Sequence, residues 1–291
     1  WRDVTAEGLD TTVPYRCELP SGRNIALFFY NGALAHDIAF GNLLEHGGTF
    51  AGRMIAGAQG AGARLSHAAV DGETFGHHRR FGEMALAYCL ETVEGGGEAE
   101  LTVYGEFLEK HPPTAAVEIA ENTSWSCTHG VERWRSDCGC RAGDHPEWRQ
   151  AWRKPLRDSL DRLREEVDRL FEEAGGEYFG DPWEARDGYI DSLLGGGRPE
   201  GRAEDLLEME RFAMLMYTSC GWFFDDISRI ETVQVLGYAA RAAQLAGAIS
   251  GRDLLGPFLK SLEEVPGNTE EVPNARRALE AAFGERLGIA G

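Results

Sequence analysis

The sequence predicts an α/β unit followed by an α-helical bundle. Over the first half, short apolar runs alternate with helical patterns in the order β-α-β-α-β-α-β, which favours parallel strands in a sheet or part of a β/α barrel. After about residue 146 only the 3.6-residue period remains and no convincing strand is found, as expected of a helical bundle. The division is therefore placed at 1–145 for the β/α portion with its active-site loops and 146–291 for the helical domain.

Residues 1 to 23 read as irregular, with turn signals at Pro14 and Pro20-Ser21-Gly22. Asn24 to Tyr30 is an apolar run expected to form a buried strand. Leu34, Ile38, Leu43, Leu44, Phe50, Met54 and Ile55 carry helical spacing, split by Gly47-Gly48. Leu65 to Val70 is expected as the second strand, Phe81 to Thr92 as a helix, Glu100 to Tyr104 as a third strand, Gly105 to Lys110 as a short helix and Val117 to Ile119 as a fourth strand. Beyond these, Trp148 to Glu173 is expected as a long amphipathic helix, with Trp152, Leu156, Leu160, Leu163, Val167, Leu170 and Phe171 on its apolar stripe. Further helices are expected at 182–194, 202–219, 229–249, 252–263 and 270–286.

The 291 residues include 48 acidic and 29 basic side chains, a net charge of −19, and are 43% hydrophobic. This balance argues against nucleic acid or an anionic membrane as partner, and suits a soluble protein acting on a neutral substrate. No apolar run reaches the ~18–20 residues that span a bilayer. Six cysteines are too few for a disulfide scaffold of this size, so a reducing cytoplasm is the simplest location. The chain opens on Trp1 with neither an initiator Met nor a signal-peptide pattern, so it is expected to be a fragment or a processed piece.

The densest chemistry lies in Asp71-Gly72-Glu73-Thr74-Phe75-Gly76-His77-His78, directly after the second expected strand. Carboxylates beside imidazoles at such an end hold and pass protons, although Asp71 as the cap of a following turn explains the same residues. A second cluster runs from Glu121 through Trp125 and His129 to Trp134. Tryptophans in a loop either stack on sugar rings or pack against protein. Cys127, His129, Cys138, Cys140 and His145 form a third group of potential metal ligands. Their spacings match no common zinc finger, so no metal and no cofactor is assigned, structural zinc remaining the minority alternative to buried thiols. Asp225-Asp226, after Trp222-Phe223-Phe224, are read as a cap for the helix that follows. Arg79, Arg80, Arg133 and Arg135 are read as partners for the abundant acids.

The stretches Ala69 to His78 and Asn122 to Trp134 resemble glycoside hydrolase family 57. The run Met209 to Phe212 and on to Trp222-Phe223-Phe224-Asp225-Asp226 is similar to an uncharacterised C-terminal extension carried by bacterial members. The resemblance implies an incomplete seven-stranded β/α barrel followed by a helical domain, and a retaining mechanism on α-glucans. It implies Asp71 as general acid/base, with Glu73 and His77 shaping the same pocket and Trp125 lining a sugar subsite; His78, His129 and Trp134 are read beside them as further substrate-binding residues. The family's nucleophilic glutamate and His-Gln-Pro motif are not identifiable here, so a missing N-terminal segment of the same protein is the expected partner. The expected activity is hydrolysis or glucan transfer by a larger protein. The alternatives are a non-catalytic carbohydrate-binding or regulatory module and, less well supported, a zinc-dependent hydrolase.

Overall fold

A computed structural model describes residue 4 and residues 8–143 and 145–288. The chain divides into two compact units, Trp1–Ala120 and Glu121–Gly291. The first unit holds a sheet of three short strands, β1 (Tyr15–Glu18), β2 (Asn24–Leu27) and β3 (Ala115–Val117). Their order is β2-β1-β3; β1 runs antiparallel to β2, with Tyr15 opposite Leu27, and parallel to β3, with Tyr15 opposite Ala115.

The sheet is mixed and small, and the described residues form no barrel; this corrects the expected β/α barrel with parallel strands. Two of the four expected strands, Leu65 to Val70 and Glu100 to Tyr104, form no ladder among the described residues, and the latter run ends where a helix begins at Tyr104. The reason is physical. An apolar run reports that side chains find cover, not that the backbone finds a neighbouring strand. Leu65 is buried, Ala68 and Val70 pack against the helical core of this unit, and the Leu65 N–H donates to the Thr12 carbonyl at 2.9 Å. The central strand, β1, falls in the stretch read as irregular, although Tyr15 and Cys17 are buried and Arg16 and Glu18 exposed in strict alternation.

The helices of this unit follow the expected pattern closely. They are α1 (Gly32–Ala39), α2 (Gly47–Gly57), α3 (Gly82–Gly96) and α4 (Tyr104–Lys110). Asn31 caps α1 by accepting from the Leu34 N–H at 3.0 Å. Gly47 opens α2 where a Cβ would sit 2.8 Å from the Tyr88 ring, so α2 and α3 approach closely only without a side chain there. Leu34, Ile38, Leu44, Phe50, Ala51, Ala85, Cys89 and Val93 form the core between them.

The second unit is helical: α5 (Arg153–Gly175), α6 (Pro182–Leu193), α7 (Arg202–Leu215), α8 (Cys220–Phe223), α9 (Ile230–Ser250), α10 (Leu255–Leu262) and α11 (Ala275–Leu287). The apolar stripe of α5, from Leu156 to Phe171, is buried as its period requires. Each leucine sealed there contributes about 1.5–3 kcal/mol relative to exposure. Ala239, Ala240, Ala243 and Ala246 make α9 thin enough to contact α5, α7, α8, α10 and α11. The start of α6 carries Asp181, whose carboxylate accepts from Trp183 and Glu184 N–H groups, followed by Pro182 in the first turn. Residues 121–145, placed by sequence with the β/α portion, belong to this second unit. Among the described residues no helix is long and apolar enough to cross a membrane.

Candidate functional site

In the first unit the loop after Val70 folds on itself. Asp71 has extended backbone and precedes a single 3-10 turn, Gly72–Thr74. The Glu73 carbonyl accepts from both the His77 and the His78 N–H, at 3.2 and 2.9 Å, and the Thr74 carbonyl accepts from Arg79 at 3.0 Å. Thr74 is the buried anchor, and the Arg79 side chain ties the loop to the end of α1 through the Ala39 carbonyl at 2.9 Å. Gly76 has φ 101°, a conformation that strains any residue with a side chain, and a Cβ there would also press on the Glu83 carboxylate at 3.0 Å.

Held this way, Asp71, Glu73, His77 and His78 all face solvent, the two imidazoles 4.9 Å apart edge to face. The Asp71 side chain makes no capping bond to the turn it precedes. The loop ends on Phe81 at φ 65°, a left-handed conformation that costs a bulky residue on the order of 1 kcal/mol or more. Arg80 and Phe81 then enter an open groove lined also by Glu45, Met84 and Tyr88. Asp71 does not line that groove.

In the second unit, the described residues between 121 and 152 contain one regular element, the 3-10 turn Glu132–Trp134. Trp125 is 76% exposed, tilted over Phe223 at 6.3 Å. Trp134 is half-buried against the helical core, and Trp148 stacks on His145 at 3.8 Å. Of the five sulfur and imidazole candidates, four converge. The ligand atoms of Cys127, His129, Cys138 and Cys140 all lie within 4.8 Å of one another. Cys127 Sγ is 3.8 Å from Cys138 Sγ and 3.7 Å from Cys140 Sγ, and Cys140 Sγ is 3.4 Å from His129 Nδ1. His145 is turned to Trp148 and to the Glu147 carboxylate at 3.1 Å.

The backbone builds this cluster from two tight turns. In one, the His129 and Arg133 N–H groups point at the Cys127 sulfur; in the other, the Cys140 N–H points at that of Cys138. Gly139 at φ 78° and Gly130 at φ 79° supply the left-handed residues the turns need. Gly130 has a second reason to be glycine, because a Cβ would lie 2.2 Å from the Asn122 carbonyl oxygen. Burial pushes the Cys127 thiol up, but those N–H groups and the neighbouring thiols outweigh it and bring it down to about 7. Burial dominates at Cys138 and raises it.

Two buried arginines frame the sulfurs. Arg133 donates to the Ser126 and Phe223 carbonyls at 3.2 and 2.8 Å and stacks over the Phe223 ring, rather than pairing with an acid as expected. Arg153 has no exposed surface and donates to the Cys138 sulfur at 3.8 Å and to the Phe223 and Phe224 carbonyls. Arg153 lies three residues before Leu156 on the apolar stripe of α5, a position from which its burial is readable. Asp225 and Asp226 are buried too. Asp225 accepts from the Ala142 and Gly143 N–H groups at 3.0 and 2.8 Å, and Asp226 from Ser228 and Asn268. They clamp three loops together, with Asp226 also organising the turn that leads into α9.

Residues 148–203 and 197–283 match the model of a family described as a domain of unknown function (DUF3536). No curated protein and no solved structure matches the chain.

Proposed function

We propose that the chain is part of a retaining α-glucan-active glycoside hydrolase or glucanotransferase similar to family 57, with Asp71 as its general acid/base. The observation that carries the proposal is the 71–78 loop: a self-bonded turn holding two carboxylates and two imidazoles in water. Rigid presentation of exposed acid/base groups suits catalysis better than packing. The strained Phe81 at the loop's end and the groove beyond it fit the same purpose, since strain concentrates where function maintains it. The match of the C-terminal half to a domain of unknown function fits the uncharacterised extension expected there.

In this mechanism Asp71 protonates the departing glycosidic oxygen and afterwards takes a proton from the attacking water. A second carboxylate, about 5–5.5 Å away, attacks the anomeric carbon. The proposal places that nucleophile, a glutamate, on a segment outside these residues, contributed by the same protein. Glu73, His77 and His78 are proposed to hold substrate around Asp71. A neutral glucan does not oppose the net charge of −19, and the proposed location is the cytoplasm. Asp71→Asn in the complete protein is expected to abolish hydrolysis and transfer on maltooligosaccharides; near-parental turnover would refute the assignment.

Trp125 favours a second reading, in which the chain binds carbohydrate without acting on it. An indole 76% exposed offers a flat apolar face for a sugar ring. Under that reading Trp125→Ala weakens retention on immobilised glycogen and the complete protein releases no product.

A further inference from the structure

We propose that Cys127, Cys138 and Cys140, through their sulfurs, and His129, through Nδ1, form a closed zinc site that fastens the 121–150 segment. The inference is independent of the sugar chemistry. The Cys127 sulfur stands 3.8 and 3.7 Å from those of Cys138 and Cys140, not at disulfide bonding distance, and three thiols cannot all pair. The spacing is that of a tetrahedron around one ion: Zn–S bonds of about 2.3 Å at the tetrahedral angle set sulfurs about 3.8 Å apart, and with a Zn–N bond of about 2.0–2.1 Å they set sulfur and nitrogen about 3.5 Å apart. The observed 3.8, 3.7 and 3.4 Å follow that pattern.

A second, separate observation points to the same ligand. Arg153 is fully buried, yet its guanidinium donates to a sulfur and to carbonyls, and its Nε has no partner among the described residues. A buried cation oriented on a neutral thiol gains little. Against a zinc ion bound by three thiolates and one neutral imidazole, which carries one net negative charge, the same N–H···S contact becomes charge-assisted. The backbone N–H groups aimed at Cys127 and Cys138 act in the same sense. Binding releases three thiol protons to water and leaves zinc in its divalent state.

Four protein ligands fill a tetrahedral shell and leave no position for water, so the site is structural, not hydrolytic. That structure is needed here. Its described residues have one 3-10 turn to organise them, over a length at which loops are uncommon unless something else holds them. The metal would fix both turns, and with them the neighbouring Trp125.

The test is metal analysis of the full chain purified under reducing conditions and dialysed against metal-free buffer. A single zinc ion per chain is expected. Metal content should fall at least tenfold in Cys138→Ser and Cys140→Ser, and stay at the parental level in Cys89→Ser and Cys220→Ser, whose thiols lie outside the cluster. Should the serine variants fail to fold, exchange of the parent with cobalt(II) decides: sulfur-to-metal charge transfer with the visible bands of a tetrahedral site supports the proposal. Loss of all metal from a folded, fully reduced parent would overturn it. Zinc retained equally by a folded Cys138→Ser/Cys140→Ser double variant, or a Cys127–Cys138 disulfide in the native protein, would overturn it as well.

Discussion

In the helical unit Trp152, Leu156, Leu160, Phe171, Met209 and Leu236 are sealed from water, and α9 is enclosed by its neighbours. The N-terminal unit has a thinner core between α1, α2 and α3, and Phe40, Met84 and Val103 keep 72%, 63% and 69% of their surface in solvent. On α3 the two situations share one helix: Ala85, Cys89 and Val93 are buried, while Phe81 at its start, Met84 and Tyr88 line the open groove. Stability is therefore expected to concentrate in the second unit, and the exposed loop of Asp71 to His78 belongs to the more lightly packed first one. Such a division is common where ligands must reach a surface that packing would otherwise close.

The sharpest way to break this contrast is a pair of substitutions. Leu160→Ala, in the α5 stripe, is expected to cost about 2–5 kcal/mol in urea unfolding, because the cavity cannot collapse within so many helices. Met84→Gln should stay within about 0.5 kcal/mol, as surface changes do. Equal effects would show that the two cores are not different in kind.

A smaller effect sharpens the picture inside the helical unit. Glu210 on α7 is buried, and burial, then Asp168 and Glu172, raise its carboxyl to about 7 against the opposing pull of Arg186. Between the ordinary value of 4.5 and 7, the folded chain keeps a proton that the unfolded chain releases. Its contribution is fully present below 4.5 and is lost as pH rises through 7. Glu210→Gln should flatten the melting temperature across that window and exceed the parent in stability at pH 8. A parent whose stability does not fall across the window would contradict the burial argument.

What the sequence made legible follows from which forces are local. Helix period is local, so α6 stands where the pattern puts it, whereas α5 and α11 each begin about five residues later than the period suggests, α11 at the Asn274 cap. Strand pairing is not local: Leu65 to Val70 has the composition of a strand and no ladder, whereas Tyr15–Glu18 is too short to stand out although it is the centre of the sheet. The sulfur cluster was visible as composition but not as geometry. Its ligands sit on two turns of unequal length, and nothing in the spacing separates His129, which joins the sulfurs, from His145, which stacks on Trp148. Trp125 and Trp134 looked alike in sequence, and only the fold leaves one in solvent and packs the other on the helical core.

The role of Asp71 is open to chemical rescue in the complete protein. An Asp71→Ala variant given an aryl α-glucoside with a good leaving group needs no acid for the first step, but the covalent intermediate waits for a base to activate water. Azide needs no base, so it should attack the anomeric carbon, displace the enzyme carboxylate and yield the α-glucosyl azide with retained configuration, restoring turnover. Rescue with that product is the predicted result. Turnover by Asp71→Ala at the parental rate without azide, on maltooligosaccharides as on the aryl glucoside, would contradict it.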